Sequence, residues 1–111
     1  MRKAHSYSSQ TTTTVRVLGL EIAQARRARR WSQEELAQRA GVSPLTLGSI
    51  ERGVPTVAIG IVFEVASLVG LDLLGAGPGD LPSLVSRSQD RLALLPARIR
   101  NRHSDDVDDD F

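Results

Sequence analysis

Residues 33–53 read QEELAQRAGVSPLTLGSIERG, and this stretch decides the fold. Apolar residues recur at helical spacing on both sides of Gly41, and glycine best supplies the left-handed conformation that ends a helix. Ser32 and Glu35 have the spacing of a capping box, and Ser43 is a candidate N-cap for the next helix. Two short helices joined by a glycine-containing turn have the geometry of a helix-turn-helix.

Helical spacing predicts two further helices, one on each side of this motif. The first covers residues 15–30, with Thr14 as its N-cap, and the fourth covers residues 57–69, with Thr56 as its cap. The fourth segment is apolar nearly all round. It is therefore expected to be either a central buried helix or a helix with a second face against a partner.

A fifth helix is expected after the glycine- and proline-rich residues 75–79, with Asp80 as its cap and Pro96 as its stop. The leucine stripe of this helix consists of Leu81, Leu84/Val85, Ser88, Leu92 and Leu95, which repeat at helical spacing. The stripe is expected either to contact a partner surface or to pack on the fourth helix of the same chain. The expected fold class is all-α.

The net charge of +1 is the sum of opposed blocks. Residues 1–53 carry +5, residues 54–80 carry −3, residues 81–103 carry +4 and residues 104–111 carry −5. Such asymmetry suggests a part that faces nucleic acid and an acidic tail. Solvated helix faces would give the same pattern.

Several functional classes are excluded by residues that the chain lacks. It contains no Cys, and its two histidines, His5 and His103, lie near opposite ends, so no metal site, cofactor site or catalytic constellation is expected. We therefore expect no enzyme. No apolar run of about 18 residues and no secretory signal is visible, so we expect no membrane partner and a cytoplasmic protein.

The motif resembles the Xre family of phage-repressor-like helix-turn-helix proteins. The matching pattern is Arg26…Ser32-Gln33-x-x-Leu36-Ala37…Gly41-Val42-Ser43…Thr46-Leu47…Ile50-Glu51-Arg52-Gly53. The resemblance implies a compact five-helix helix-turn-helix domain over residues 15–76, with an extra C-terminal helix and disordered tails. From their polar composition, residues 1–14 are expected to be a disordered arm and residues 104–111 an acidic disordered tail. Residues 77–103 are expected to be a linker and an amphipathic helix for a dimer or partner contact.

The resemblance also implies a transcriptional repressor that binds a palindromic operator in double-stranded DNA as a homodimer. It places base contacts at Ser43, Pro44, Leu45, Thr46 and Ser49. Phosphate contacts are expected at Gln33, Arg27, Arg29, Arg52 and Thr56. Arg26 and Glu51 match a structural ion pair. Family members often have Gln where this chain has Pro44 or Leu45, so a Gln–adenine contact does not carry over.

The C-terminal third carries a narrower resemblance. Residues 91–100 (RLALLPARIR) and 105–111 (DDVDDDF) resemble the ends of HipB-like antitoxins. That would imply a HipA-like kinase toxin as partner, contacted through Leu92, Leu95 and Phe111. Two alternatives remain: a free-standing Xre-type regulator without a toxin, and a protein-binding adaptor on a helix-turn-helix scaffold.

Overall fold

The computed structural model describes residues 5–101, and within that range every regular element is a helix. The α-helices are α1 (Ser9–Ala28), α2 (Gln33–Ala40), α3 (Pro44–Glu51), α4 (Ile59–Leu68) and α5 (Leu81–Ala93). The predicted all-α class is confirmed, with five α-helices in the described range. Four of them precede residue 76 and the fifth is the predicted C-terminal helix, so the domain implied to have five helices has four. The chain divides into two compact units, Met1–Gly75 with α1–α4 and Ala76–Phe111 with α5.

The first helix begins six residues earlier than predicted, and its N-cap is Ser8 rather than Thr14. The Ser8 Oγ accepts a hydrogen bond from the Thr11 N–H at 3.2 Å. Thr14 lies inside the helix, where its hydroxyl donates to the Gln10 carbonyl at 2.8 Å. The N-cap prediction is therefore wrong, and residues 9–14 are helical instead of belonging to a disordered arm. Threonines tolerate this position because their hydroxyls bond back to the preceding turn.

The turn between α2 and α3 follows the local signals closely. The capping box is present, since the Ser32 Oγ accepts from the Glu35 N–H at 3.0 Å and the Glu35 carboxylate accepts from the Ser32 N–H at 2.9 Å. Gly41 ends α2 with a φ of 72°. Ser43 caps α3 by accepting from the Thr46 N–H at 3.0 Å. These predictions are confirmed.

The core of the first unit is formed by buried side chains of α1, α2 and α3, with residues on and just beyond α4. They are Ile22, Leu36, Ala37, Leu47, Ile50, Val65, Ala66 and Val69. Contacts between α2 and α3, α1 and α3, and α2 and α4 hold the four helices together. This packing fixes α3 against the rest of the unit and leaves its opposite face to solvent.

The fourth helix differs from its prediction at the start and in its burial. It begins at Ile59 with Ala58 at the N-cap, so the assignment of Thr56 as cap is wrong. The chain turns through residues 55–57 before the helix starts, which places Thr56 too early to cap it. Ile59 and Phe63 are exposed while Val65 is buried, so α4 is not buried all round.

In the second unit, a short 3₁₀ helix (Pro78–Asp80) leads directly into α5. Asp80 has a helical backbone conformation, with φ −96° and ψ −10°, and makes no side-chain capping hydrogen bond. The predicted cap is wrong because a capping side chain normally needs an extended backbone to reach back to the helix. Leu81, Val85 and Leu92 of the leucine stripe are exposed.

Candidate nucleic-acid interface

A nearly buried ion pair joins the end of α1 to the end of α3. The Arg26 Nε donates to one Glu51 oxygen at 2.7 Å and its Nη2 donates to the other at 3.0 Å. The two side chains are only 8% and 7% exposed. The Arg26 Nη1 also donates to the Trp31 carbonyl at 2.8 Å. The predicted structural ion pair is confirmed, and its two parallel bonds fix the direction of both side chains.

Gln33, the first residue of α2, is bound to the same carboxylate. Its Nε2 donates to Glu51 Oε1 at 2.9 Å. Because an ionised carboxylate only accepts, it sets the orientation of the Gln33 amide, with the NH₂ group toward Glu51. The N-terminus of α2 and the C-terminus of α3 are thereby tied together. The sequence pattern named both residues but did not indicate this bond, which joins positions 18 apart.

The charges in this network also shift the pKa values of Glu51 and Arg26. Burial opposes the ionisation of Glu51, but hydrogen bonds from Arg26 and Gln33, with the positive charges of Arg26 and Arg27, outweigh it, so the pKa of Glu51 lies below its usual range. The hydrogen bond to Glu51 raises the pKa of Arg26 by more than burial lowers it. Both groups are therefore held in their charged forms.

The exposed face of α3 brings the predicted base-contact residues together. Ser43, Thr46, Ser49 and Arg52 follow at every third position, which places them in one row along the helix. Ser43 and Arg52 are exposed, and Thr46 and Ser49 are half-buried. Leu45 lies beside this row and is 76% exposed. Pro44 occupies the first turn and is also exposed. We call Ser43, Leu45, Thr46, Ser49 and Arg52 the α3 face. Its side chains are short apart from Arg52, which suits close approach to base edges.

The other predicted phosphate contacts lie in different surroundings. Arg27 is exposed, and its charge acts on Glu51. Thr56 is exposed in the turn between α3 and α4. Arg29, by contrast, donates from Nη1 to the Val69 carbonyl at 2.6 Å and so satisfies the C-terminus of α4. Phosphate contact by these residues stays a prediction, and for Arg29 it competes with a bond within the chain.

Trp31 follows α1 and precedes the cap of α2. It packs partly buried against the core at the corner between α1 and α2. The guanidinium of Arg39 lies 4.3 Å from its ring centroid and that of Arg29 lies 5.7 Å away. These distances fit cation–π contacts. Trp31 thus holds two arginines of the corner in place.

Of the predicted partner contacts, Leu92 and Leu95 are exposed in the second unit. Phe111 and the acidic residues 104–111 lie outside the described residues. Over residues 5–101, no group of His, Asp or Glu side chains is arranged to hold a metal ion. None of the helices in that range has both the length and the apolar character that crossing a bilayer requires.

The short α2, the tight turn at Gly41 and the exposed α3 face define a helix-turn-helix domain of the kind that binds DNA. Residues 22–75 match the family model of the helix-turn-helix. The match runs from the second half of α1 to the end of the first unit, and it supports the Xre family and a DNA-binding transcription regulator. No curated protein and no solved structure matches the chain.

Proposed function

We propose that this protein is a sequence-specific transcriptional repressor whose α3 enters the major groove of its operator. The observation that carries the proposal is the α3 face, which is exposed on one side and braced on the other by the bonds of Glu51 to Arg26 and Gln33. A rigid and mostly polar face on a single helix fits the major groove. The N-terminus of α2 at Gln33 points backbone N–H groups outward, which suits phosphate.

The test of this proposal is selection of binding sites from a random duplex library with the full chain. Enrichment of one sequence, confirmed by gel shift, is the expected result. The region upstream of the protein's own gene is the second probe, because a repressor of its own promoter would shift it. A chain that enriches no sequence and shifts no duplex at low salt contradicts the proposal.

Arg52→Gln is expected to make DNA binding less dependent on salt. Each phosphate that a basic side chain neutralises contributes about 0.9 to the slope of log K against log salt, so the slope should fall by about that amount. Arg27→Gln is expected to do the same. The measurement is a gel-shift or fluorescence titration at several salt concentrations with a random-sequence duplex.

Arg98→Gln is the matched control for this prediction, since Arg98 is an exposed arginine of the second unit. It should leave the slope unchanged. Arg29→Gln separates two roles of that residue. If Arg29 only bonds the Val69 carbonyl, the Arg29→Gln variant should unfold more easily but show the same dependence of DNA binding on salt as the natural chain. If neither Arg27→Gln nor Arg52→Gln changes the slope of log K against log salt, neither arginine contacts phosphate.

The proposed repressor is a homodimer that places two α3 helices about 34 Å apart on a palindromic operator. The exposed stripe of α5 supplies a candidate contact. Along α5, Leu81, Val85, Ser88 and Leu92 repeat at spacings of four and three, the period of a helix-pairing seam. Leu95 follows just beyond the end of the helix. The proposal is that a second copy covers this stripe.

Leu92→Asp is expected to shift the protein from dimer to monomer in sedimentation velocity, because it puts a charge on the stripe in the last turn of α5. Ser86→Asp introduces the same carboxylate on the opposite side of α5 and is the control. If both variants sediment like the natural chain, α5 is not the dimer contact.

The narrower proposal is a HipB-like antitoxin that represses its own operon and binds a HipA-like kinase toxin. Two features support it: the resemblance of residues 91–111 and the exposed leucines of α5. The experiment is co-purification with a HipA-like kinase encoded beside it, with a chain ending at residue 103 as comparison. A neighbouring gene of another kind favours the free-standing regulator, and a partner bound without any DNA binding favours the adaptor.

A further inference from the structure

The hydroxyl of Thr46 can donate its hydrogen to a ligand. The Ser43 Oγ accepts the Thr46 N–H at 3.0 Å as the helix cap, and its own hydrogen is donated to Thr46 Oγ1, also at 3.0 Å. Thr46 Oγ1 therefore already accepts one bond from its own chain, which leaves the hydroxyl its hydrogen and one lone pair. Within the described contacts its hydrogen has no acceptor, and the side chain can offer it to a base edge.

Ser49 and Arg52 form a second pair in the same row. The Arg52 Nη2 lies 3.4 Å from the Ser49 Oγ and donates to it. A hydroxyl that accepts from a cation is polarised toward donating its own hydrogen. The guanidinium itself has only donors. Both pairs of the row thus present donors outward.

Strong acceptors are missing from the same face. The one carboxylate of α3 belongs to Glu51, whose side chain is 7% exposed and accepts three hydrogen bonds from Arg26 and Gln33. No Asp, Asn or Gln occurs between residues 43 and 52. In the major groove, purine N7, guanine O6 and thymine O4 need donors, whereas the amino groups of cytosine and adenine need acceptors.

We infer that α3 recognises its half-site through base acceptors and one methyl group. Thr46 and Ser49 donate to purine N7, guanine O6 or thymine O4, and Leu45 packs on the 5-methyl group of a thymine. Leu45 suits that contact because it is apolar and 76% exposed at the N-terminal end of α3, the end that meets base edges. The inference rests on the proposed function and assigns the chemistry that the α3 face selects.

The experiment uses the full chain and the site selected from random duplexes, with base analogues that each delete one group. A 7-deazapurine removes N7, 2-aminopurine in place of guanine removes O6, and 5-methyl-2-pyrimidinone in place of thymine removes O4. Uracil in place of thymine removes the methyl group. Purine in place of adenine removes the amino group. We expect about a tenfold loss of affinity for at least one acceptor deletion and for one methyl deletion, and none for amino deletion.

Two variants assign these losses to side chains. Thr46→Val keeps the shape and removes the hydroxyl, so it should bind the natural site about tenfold more weakly and lose its sensitivity to one acceptor deletion. The affinity of the Leu45→Ala variant should no longer depend on whether one particular thymine of the site is replaced by uracil. Thr13→Val makes the same change as Thr46→Val on the exposed surface of α1 and should behave like the natural chain.

Losses confined to amino-group deletions would overturn the inference while leaving sequence-specific binding intact. A Thr46→Val variant that stays as sensitive as the natural chain at every acceptor would overturn the role of Thr46. Failure to enrich any sequence is a different result, because it contradicts the repressor proposal itself.

Discussion

Glu51→Ala is expected to lower the free energy of unfolding by about 3–5 kcal/mol, since removing one partner of a buried pair leaves the other charge uncompensated. The Arg26 guanidinium is 8% exposed and directs two of its N–H groups at Glu51. Without the carboxylate, those donors of a nearly buried side chain are left without their partner. Gln33 loses its partner at the same time. Urea denaturation followed by circular dichroism measures the change.

The double variant Arg26→Met with Glu51→Leu shows whether the uncompensated charge is the cause. Removing both charges also removes their cost of desolvation, so the double variant should lie within about 1–2 kcal/mol of the natural chain. Some loss remains because the Trp31 carbonyl and the Gln33 amide lose a partner. A double variant as unstable as Glu51→Ala would mean that packing, and not the unpaired guanidinium, sets the cost.

The same pair gives stability a dependence on pH. The pKa of Glu51 is lower in the folded chain than in the unfolded chain. Its contribution is therefore complete above the unfolded value, about 4.3, and is lost as pH falls through the folded value. Unfolding curves taken from about pH 6 downward should converge for the natural chain and the double variant, because only the natural chain loses this contribution.

The helix-turn-helix was predictable from sequence because its signals are local. The capping box of Ser32 and Glu35, the left-handed Gly41 and the cap at Ser43 each act within four residues, and each is present. Local physics decides such features before any tertiary packing forms. The ion pair of Arg26 and Glu51 was predicted differently, through the family pattern, since nothing local links residues 25 apart.

The failures lie where several local signals compete or where the partner is distant. The stretch from Ser8 to Thr14 offers Ser and Thr at most positions, so composition does not show which of them caps α1. Thr56 was a good cap by type but lies in a turn whose path depends on how α3 and α4 pack. The bond from Arg29 to Val69 spans 40 residues and exists only because the ends of α1 and α4 meet.

Gly19→Ala is expected to lower the free energy of unfolding by about 3 kcal/mol, although alanine favours helix formation over glycine by about 1 kcal/mol. A Cβ at Gly19 would lie 2.5 Å from the Ile50 carbonyl oxygen and 2.7 Å from that of Glu51, closer than the 3.0 Å below which real Cβ contacts are essentially never seen. Both are backbone atoms and cannot swing aside. The helices α1 and α3 must separate instead, which also pulls on the ion pair.

Gly60→Ala is the matched control, because it makes the same change in the first turn of α4, where no atom beyond the neighbouring helix backbone lies within 4 Å of the added methyl group. At this position only the helix propensity of the residue changes, so the free energy of unfolding should rise by about 0.5–1 kcal/mol. The two variants should therefore move the urea midpoint in opposite directions. If Gly19→Ala raised it as well, α1 and α3 would not be in close contact at that point. The bracing of the α3 face would then depend on Glu51 and its partners alone.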